Sequence, residues 1–322
     1  MASKVTVIGT GNFGSTVAFI LAMRGACHEV VLLGRNINVA KGKALDMSQA
    51  ANAAREHTIV KAAEGPEDMK DSQVVVITAG APRTPGMSRD DLLTKNAEIV
   101  KKYALEIKEY APNAVVVVVS NPLDVMTYVV HKYTGFPRER ILGMAGILDA
   151  ARMAHFIYEK LGYGAGQIRA TVMGGHGDTM VPLPKFTTVA GVPVEDLFDS
   201  EEIGEIVKKT KEGGAQIVNL LGNGSAYYAP AKSTAVMVDA ILKDTKQIHS
   251  CAVYLKGEYG YSEIVSGVPA MIGAGGAEEI IEMTLKTLQK TRFKNSVASV
   301  QEMVDSLYEA KFFDDLESID AN

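Results

Sequence analysis

The chain has 322 residues, which at roughly 100 to 200 residues per domain predicts two domains of similar size or one large one. Hydrophobic residues make up 47% and charged residues 22% of the chain, values that exclude disordered and fibrous classes. The 33 basic and 38 acidic side chains give a net charge of −5, which offers no basic field for nucleic acid phosphates. We therefore expect a packed, enzyme-like protein with no nucleic-acid partner.

The N-terminal segment, the apolar runs and the cysteines bear on the compartment. Met1 to Lys4 leads directly into an apolar strand-like segment, so we expect no signal peptide. The purest apolar run, at 115–119, is far shorter than the roughly 20 residues that cross a bilayer, so we expect no membrane partner. Cys27 and Cys251 lack CxxC spacing and are expected to be buried thiols. Together these features predict a cytoplasmic protein.

The first half of the chain alternates β-branched runs with helical stretches. In chain order the predicted elements are a strand at 5–8, a helix at 13–24, a strand at 29–33, a helix at 39–53, a strand at 74–77, a helix at 90–110 and a strand at 115–119. Continuous apolar strands that alternate with helices are typical of a parallel sheet covered on both faces. The pattern predicts an α/β fold with a doubly wound parallel sheet.

The pattern changes after about residue 145. A helix is predicted at 148–161 and a strand-like run at 168–173, followed by a segment punctuated by prolines and by amphipathic helices toward the C-terminus. We place a domain change near 143–147, which gives a first domain at 1–145 and a second, α+β domain at 146–322. No flexible linker separates the two, so we expect them to pack together and share a cleft.

A glycine-rich motif predicts where a dinucleotide binds. Residues 9–14 read GTGNFG, a GxGxxG that directly follows the first strand and opens the first helix. In that context Gly9 allows the tight turn, Gly11 lets the backbone approach a pyrophosphate, and Gly14 lets the helix pack closely. The predicted cofactor-binding residues of this motif are Gly9, Thr10, Gly11, Asn12, Phe13 and Gly14.

The residue after the second strand bears on cofactor choice. A site for NAD is expected to carry Asp or Glu there, which binds the ribose hydroxyls. This chain has Gly34 and Arg35 instead, which would leave room for a 2′-phosphate and supply a cation to bind it. We interpret the pair as favouring NADP, although Arg35 as a solvated loop charge, with NAD bound without the acid, is the alternative.

Three further segments concentrate charge where loops should follow strands. The first carries Arg83 and Arg89 among Gly and Pro residues, after a core strand, where ligand crevices lie in such sheets. The second places Asp149 and Arg152 three residues apart in a helix, so both share one face. The third puts His176 in a glycine-rich turn. The alternatives are an exposed charged turn, an exposed helix ion pair and an ordinary hydrogen-bonded histidine.

Six motifs carry a resemblance to a known family. They are GTGNFG at 9–14, TAGAPRTPGMSRDDLLTKN at 78–96, VSNPLD at 119–124, LDAAR at 148–152, GGHGDTMVPL at 174–183 and GSAYYAP at 224–230. In this order, and over nearly the whole chain, they resemble the lactate-dehydrogenase-like malate dehydrogenases. The resemblance implies a Rossmann cofactor domain, an α+β substrate domain, a homodimer or homotetramer, and interconversion of malate and oxaloacetate with NAD or NADP.

The chemistry of that reaction suits the residue types in the motifs. Hydride transfer from a secondary alcohol leaves a proton, and a histidine that titrates near neutrality can accept and return it, which we assign to His176. By the resemblance, Asp149 orients His176 and stabilises the imidazolium, as the acid of a catalytic triad does. Arg152 is implied to hold the C1 carboxylate of the substrate by a planar two-point contact.

Further contacts follow from the resemblance alone. It implies that Arg89 closes over the substrate and polarises the carbonyl oxygen, and that Asn121 contacts both the substrate oxygen and the cofactor. Additional cofactor contacts are implied for Thr78, Ala79, Gly80 and Asn96.

Arg83 is the predicted determinant of substrate. The family carries glutamine here in lactate dehydrogenases and arginine in malate dehydrogenases, because a second carboxylate needs a cation. A monocarboxylate would leave one arginine closed into the site without a partner, which favours a dicarboxylate. The alternatives are a lactate or other 2-hydroxy-acid dehydrogenase, a nicotinamide-dependent glycosidase, whose Cys and His metal site is missing from the motifs here, and a non-catalytic dinucleotide sensor.

Overall fold

The structure, a computed structural model, describes residues 3–81, 89–222 and 224–316. The helices in these ranges are α1 (Asn12–Met23), α2 (Ile37–Ala53), α3 (Arg89–Tyr110), α4 (Leu123–Thr134), α5 (Gly146–Leu161), α6 (Ser200–Leu221), α7 (Tyr228–Leu242) and α8 (Thr287–Glu309). The strands are β1 (Lys4–Ile8), β2 (Glu29–Leu33), β3 (Ile59–Ala62), β4 (Val74–Ile77), β5 (Val115–Val118), β6 (Ile141–Gly143), β7 (Ile168–Arg169), β8 (Val172–Met173), β9 (Val181–Pro182), β10 (Thr188–Val189), β11 (Val192–Pro193), β12 (Gln247–Lys256), β13 (Ser262–Gly273) and β14 (Gly276–Ile280).

Strands β1 to β6 form a doubly wound parallel sheet, as predicted, although β3 and β6 were not among the predicted elements. Their order is β6-β5-β4-β1-β2-β3, and every neighbouring pair is parallel. The central strands β4 and β5 are buried at every position, as their continuous valine-rich runs predicted. Between β1 and β4 the strand order reverses direction, and in such sheets the ligand crevice lies at the carboxyl ends of that pair. The predicted α/β fold class is therefore confirmed.

The second half of the chain departs from the predicted elements in two ways. The run at 168–173 is not one strand but two, β7 and β8, which join different small sheets, because β7 pairs with β10 and β8 with β9. Toward the C-terminus, where only amphipathic helices were predicted, the antiparallel strands β12, β13 and β14 lie between α7 and α8. Their mixed sequence contains glycines and a proline, so it lacks the clean alternation that identifies strands.

The antiparallel strands extend the parallel sheet across the predicted domain change. Strand β12 pairs with β6 through Ala252 and Gly143, so one nine-stranded sheet contains both halves of the chain. A Cβ at Gly143 would lie 2.6 Å from Thr127 Oγ1 and 2.9 Å from the Ala252 side chain, which explains the glycine at this junction. The boundary at 145 and 146 stays a prediction.

Local signals place the ends of the helices that carry the site. Asn36 caps α2, because its side-chain oxygen accepts from the backbone N–H groups of Asn38 and Val39. Helix α5 ends at Gly162, which has the left-handed conformation that favours glycine. Within the described ranges, no helix is both long enough and apolar enough to cross a membrane. Cys27 and Cys251 are both buried and free, as predicted.

Candidate active site and cofactor cradle

The loop between β1 and α1 leaves an open backbone surface. Gly9 has a φ of +112°, and a Cβ there or at Gly14 would collide with the side chain of Thr78. A Cβ at Gly11, in contrast, would meet nothing within 4 Å. Gly11 is the N-cap of α1 and supplies no side-chain cap, so the first N–H groups of the helix are free of a capping side chain. The loop therefore fits the diphosphate of a dinucleotide.

The loops after β4 and β5 are tied together behind this cradle. Thr78 Oγ1 donates to the Ile8 carbonyl over 2.9 Å, and Ser120 Oγ donates to the Ala79 carbonyl over 2.5 Å. Asn96 is buried; it accepts from the Ala81 N–H over 2.7 Å and donates to the Asn121 carbonyl over 2.8 Å. Its amide thus braces two loops, and its predicted contact with the cofactor stays a prediction, as do those of Ala79 and Gly80.

The segment after β2 offers a packing reason for the absence of the expected Asp or Glu. A Cβ at Gly34 would lie 2.6 Å from both Cγ2 and Oγ1 of Thr10, so a larger residue at 34 would require the Thr10 side chain to move. Arg35 is exposed beside it. The close packing against Thr10 thus favours a glycine at 34, whether or not a 2′-phosphate binds here.

His176 and Arg152 both contact the buried carboxylate of Asp149. His176 Nδ1 lies 2.9 Å from Asp149 Oδ2, and Arg152 Nη1 donates to Asp149 Oδ1 over 3.1 Å. The Asp149 side chain is only 2% exposed, and those of Arg152 and His176 are 14% and 15% exposed. Asp149 and Arg152 are thus not an exposed helix pair, and His176 is held by a buried acid rather than by solvent.

The same geometry sets the protonation of His176. Burial disfavours the charged imidazole, but the Asp149 carboxylate, through its charge and its hydrogen bond, outweighs burial and raises the His176 pKa. The charge of Asp124 also raises the His176 pKa, whereas the positive charge of Arg152 lowers it. A histidine whose imidazolium is stabilised in this way can donate a proton from that form and take one back as the neutral imidazole.

Three successive backbone N–H groups fix the turn that carries His176. Gly174 donates to the Gly267 carbonyl over 2.8 Å, Gly175 donates to Ser296 Oγ over 2.8 Å, and His176 donates to Asp124 Oδ2 over 2.8 Å. The acceptors come from β13, α8 and α4 in turn, so three distant segments orient one histidine.

Asp124 contacts the His176 turn, although the sequence reasoning did not single it out. It is 3% exposed, and its Oδ1 is buried without a hydrogen-bond partner among the described residues. Burial raises the pKa of Asp124 to about 6, against the lowering effect of the His176 N–H. A carboxylate at the start of a helix is usually a capping residue, so its position alone gave no reason to link it to His176, 52 residues away.

A cavity of about 250 Å³ joins the cradle to these side chains. Phe13 and Asn121 line it from the first half of the chain, and Arg152 and His176 line it from the second. Helix α6 forms another wall, through residues at helical spacing: Lys211, Gly214, Ala215 and Val218.

Gly214 is a second contributor that the motifs did not identify. A Cβ at Gly214 would lie 3.3 Å from Arg152 Nη2 and 3.5 Å from Nη1. The absence of a side chain therefore lets the guanidinium lie against α6. Lys211, one turn earlier, has its pKa lowered by burial and by the charge of Arg292, and it makes no salt bridge with any described carboxylate.

Two predicted substrate contacts fall outside this geometry. Arg83 and the side chain of Arg89 lie outside the described residues. Their contacts with substrate therefore stay predictions.

Two family models match the chain. One, described as the lactate/malate dehydrogenase NAD binding domain, matches residues 3–143, and the other, the lactate/malate dehydrogenase alpha/beta C-terminal domain, matches residues 147–310. Together they account for most of the chain.

Curated relatives and solved structures agree with these matches. The chain is 62% identical to a malate dehydrogenase of Sulfurimonas denitrificans over 311 residues, covering 97% of this chain and 98% of the relative. It is 56% identical to that of Nitratiruptor sp. over 313 residues, with the same coverage. A crystal structure of malate dehydrogenase from Salinibacter ruber superposes with a TM-score of 0.91 at 45% identity, covering 96% of this chain and 98% of that one.

Proposed function

The chain belongs to the lactate/malate dehydrogenase family, and we propose that it interconverts malate and oxaloacetate at the cavity lined by His176 and Arg152. The observation that carries the proposal is the buried Asp149 carboxylate, which holds His176 at 2.9 Å and Arg152 at 3.1 Å. A base and a carboxylate-binding cation are thereby fixed side by side in the lining of the cavity. The relatives' shared name, malate dehydrogenase, supports the same reaction.

His176 moves the proton of this reaction. In malate oxidation the substrate hydroxyl gives its proton to His176 Nε2 as the C2–H bond breaks with its electron pair, and a nicotinamide cofactor, when bound, would supply the acceptor for that hydride. Because Nδ1 faces Asp149, Nε2 is the nitrogen left for the substrate. The positive charge that forms on the ring is stabilised by Asp149 and by Asp124. In oxaloacetate reduction the same proton returns to the C2 oxygen.

Arginines and one asparagine hold the substrate. Arg152 binds the C1 carboxylate, because its guanidinium is oriented by Asp149 and lines the cavity. Asn121 lines the same cavity and contacts the substrate oxygen. Arg89 polarises that oxygen, and Arg83 binds the distal carboxylate; both assignments depend on the sequence motif 78–96.

The cofactor is a nicotinamide dinucleotide bound in the cradle at 9–14. We further propose a preference for NADP, supported by the exposed cation Arg35 at the end of β2, where no carboxylate would repel a 2′-phosphate. Gly34 adds no independent support, because its close contact with Thr10 favours a glycine with either cofactor.

The assembly and compartment are also proposals. We propose a homodimer or homotetramer on the resemblance of the sequence motifs to the lactate-dehydrogenase-like malate dehydrogenases. The buried free thiols of Cys27 and Cys251 support a reducing compartment such as the cytoplasm. The acidic net charge of −5 supports the absence of a nucleic-acid partner. Sedimentation equilibrium would test the oligomer, since a monomer at micromolar concentration contradicts it.

An initial-rate assay with four substrate pairs tests the proposed function. Oxaloacetate or pyruvate is combined with NADH or NADPH at neutral pH, and the loss of nicotinamide absorbance is followed. Oxaloacetate should be turned over far faster than pyruvate, with NADPH ahead of NADH. A lead for NADH would overturn only the cofactor preference, whereas a lead for pyruvate would overturn the substrate. The absence of turnover with every pair would favour the alternative of a non-catalytic dinucleotide sensor.

The substitution Arg83→Gln tests the determinant of substrate. Without the cation, the distal carboxylate of oxaloacetate loses its partner, and a broken buried ion pair costs about 3 to 5 kcal/mol. We therefore expect kcat/KM for oxaloacetate to fall by roughly a hundredfold or more, and that for pyruvate to rise. An unchanged ratio of the two would show that Arg83 does not distinguish them.

A further inference from the structure

Lys43 connects helix α2 to the glycine loop. Its Nζ donates to the Thr10 carbonyl over 2.7 Å and to Ser15 Oγ over 2.8 Å. Ser15 Oγ in turn donates to the same carbonyl over 3.2 Å. The Thr10 carbonyl therefore receives two donors, one of them charged, and hydrogen bonds from charged donors are the stronger kind.

These bonds fix the direction of one peptide group in the cradle. In a trans peptide the C=O and the following N–H point in opposite directions. Because Lys43 and Ser15 hold the Thr10 carbonyl on the α2 side, the N–H of Gly11 faces the opposite side. A Cβ at Gly11 would meet nothing within 4 Å, so the backbone there is accessible to a ligand.

The charge of Lys43 is also free to act on that ligand. Its contacts in the described ranges are a carbonyl and a hydroxyl, and no described carboxylate pairs with it. Helix α1, whose N-terminus forms the cradle, has no acidic residue in its first turn. The cradle thus combines the positive end of a helix with an unneutralised ammonium behind the loop.

We infer that Lys43 is a positioning residue for the cofactor, which holds the Thr10–Gly11 peptide so that its N–H faces the diphosphate and which supplies positive charge behind it. The inference rests on the nicotinamide cofactor proposed above and concerns its diphosphate rather than its nicotinamide or its 2′-phosphate. Lys43 does not contact the reacting atoms.

Isothermal titration calorimetry of the substrate-free protein with ADP, adenosine and NADH tests the inference. Lys43→Met removes the ammonium and its hydrogen bonds, and we expect ADP and NADH to bind about tenfold more weakly. Adenosine, which lacks phosphate, should bind within twofold of the wild type. Lys43→Arg, which retains a cationic donor, should recover most of the ADP affinity.

Lys41→Met is the matched control. Lys41 lies on the same helix and also loses one positive charge on substitution, but its Nζ pairs with Glu64 at an exposed site. It should leave all three affinities within twofold. If Lys43→Met does not fold, Lys43→Gln replaces it, with the same expected loss for ADP.

Two results would overturn the inference. One is ADP affinity in Lys43→Met equal to that in Lys41→Met, and the other is an equal loss for ADP and adenosine, which would indicate a general effect on the fold. Failure of the cofactor proposal is distinct, because the wild type itself would then bind neither ADP nor NADH.

Discussion

Asp149 shows how a single residue acquires its role from its surroundings. One of its carboxylate oxygens contacts His176 and the other accepts from Arg152. The Asp149 side chain is almost wholly removed from solvent. The sequence spacing predicted that Asp149 and Arg152 share a helix face. It could not predict that the face is buried, or that His176 approaches from a turn 27 residues away.

Asp149→Asn should change the pH dependence of the reaction. Without the carboxylate, burial and Arg152 dominate, so the His176 pKa falls. Oxaloacetate reduction needs the imidazolium, so its kcat/KM declines as the pH rises through this pKa, and in the variant the decline should occur at lower pH. At neutral pH we expect a loss of roughly a hundredfold. Initial rates between pH 5 and 9 measure this, and a decline at an unchanged pH would contradict the assignment.

At the scale of elements, helices α4, α5 and α6 all contribute to the same small site. Helix α4 provides Asp124 to the His176 backbone, α5 provides Asp149 and Arg152, and α6 provides the glycine surface on which Arg152 lies. The helices themselves were predictable in part, since α5 was placed within two residues of its observed start. Their mutual packing was not, because it depends on contacts distant in the sequence.

Asp124→Ala should weaken the link between α4 and the His176 turn. It leaves the buried His176 N–H without an acceptor, at a cost of about 1 to 3 kcal/mol of unfolding free energy. Asp124→Asn retains an acceptor oxygen and should lose less stability and less kcat. Urea unfolding and initial rates measure both, and equal losses in the two variants would contradict a role in accepting this hydrogen bond.

The pH dependence of these variants has a defined sign. Burial raises the pKa of Asp124 to about 6 in the folded protein. The folded state therefore binds this proton more tightly than the unfolded chain does. The wild type should therefore gain stability relative to Asp124→Asn as the pH falls from about 6 toward the ordinary value of 3.8. A stability difference that stays constant over this range would contradict the raised pKa.

Gly214→Ala should impair substrate binding without destabilising α6. Alanine stabilises a helix relative to glycine by roughly 0.5 to 1 kcal/mol, but its Cβ would lie 3.3 Å from Arg152 Nη2, so the guanidinium would have to shift by a few tenths of an ångström. We expect KM for oxaloacetate to rise about tenfold, with NADH affinity unchanged. Gly204→Ala on the same helix, where a Cβ meets nothing within 4 Å, is the control. An equal KM in both variants would show that Gly214 does not position Arg152.

At the scale of the whole molecule, the two predicted domains share a sheet and a core. Strand β12 continues the parallel sheet beyond β6, and one cluster of buried apolar residues contains members from Val5 to Phe313. A smaller cluster lies around α5 and α6, beneath the substrate side of the cavity. The cleft therefore lies over a continuous framework rather than at a flexible joint.

This continuity predicts a single unfolding transition. Heating followed by far-UV circular dichroism and by tyrosine fluorescence should give coincident curves, because loss of either half exposes the shared sheet and core. NADH at about 100 times its Kd should raise the free energy of unfolding by about 2.7 kcal/mol throughout. Two separated transitions, with only the first half responding to NADH, would contradict one cooperative unit.

The sequence by itself determined the parallel sheet and the glycine cradle. Runs such as 74–77 and 115–119 are apolar at every position, and only strands buried on both faces require that. The glycines at 9, 11 and 14 satisfy local steric requirements of the turn between the first strand and the first helix. These are properties of neighbouring residues, so a linear pattern reveals them.

Tertiary structure alone decided how the site is held together. The acceptors that fix the His176 turn, the contact of Lys43 with Thr10 and the packing of Gly214 on Arg152 join residues 33 to 121 positions apart. The junction of β12 with β6 is likewise invisible in the sequence of either strand. A hydrogen bond or a close packing contact specifies a pair, and which distant residues become a pair is settled only when the whole chain has folded.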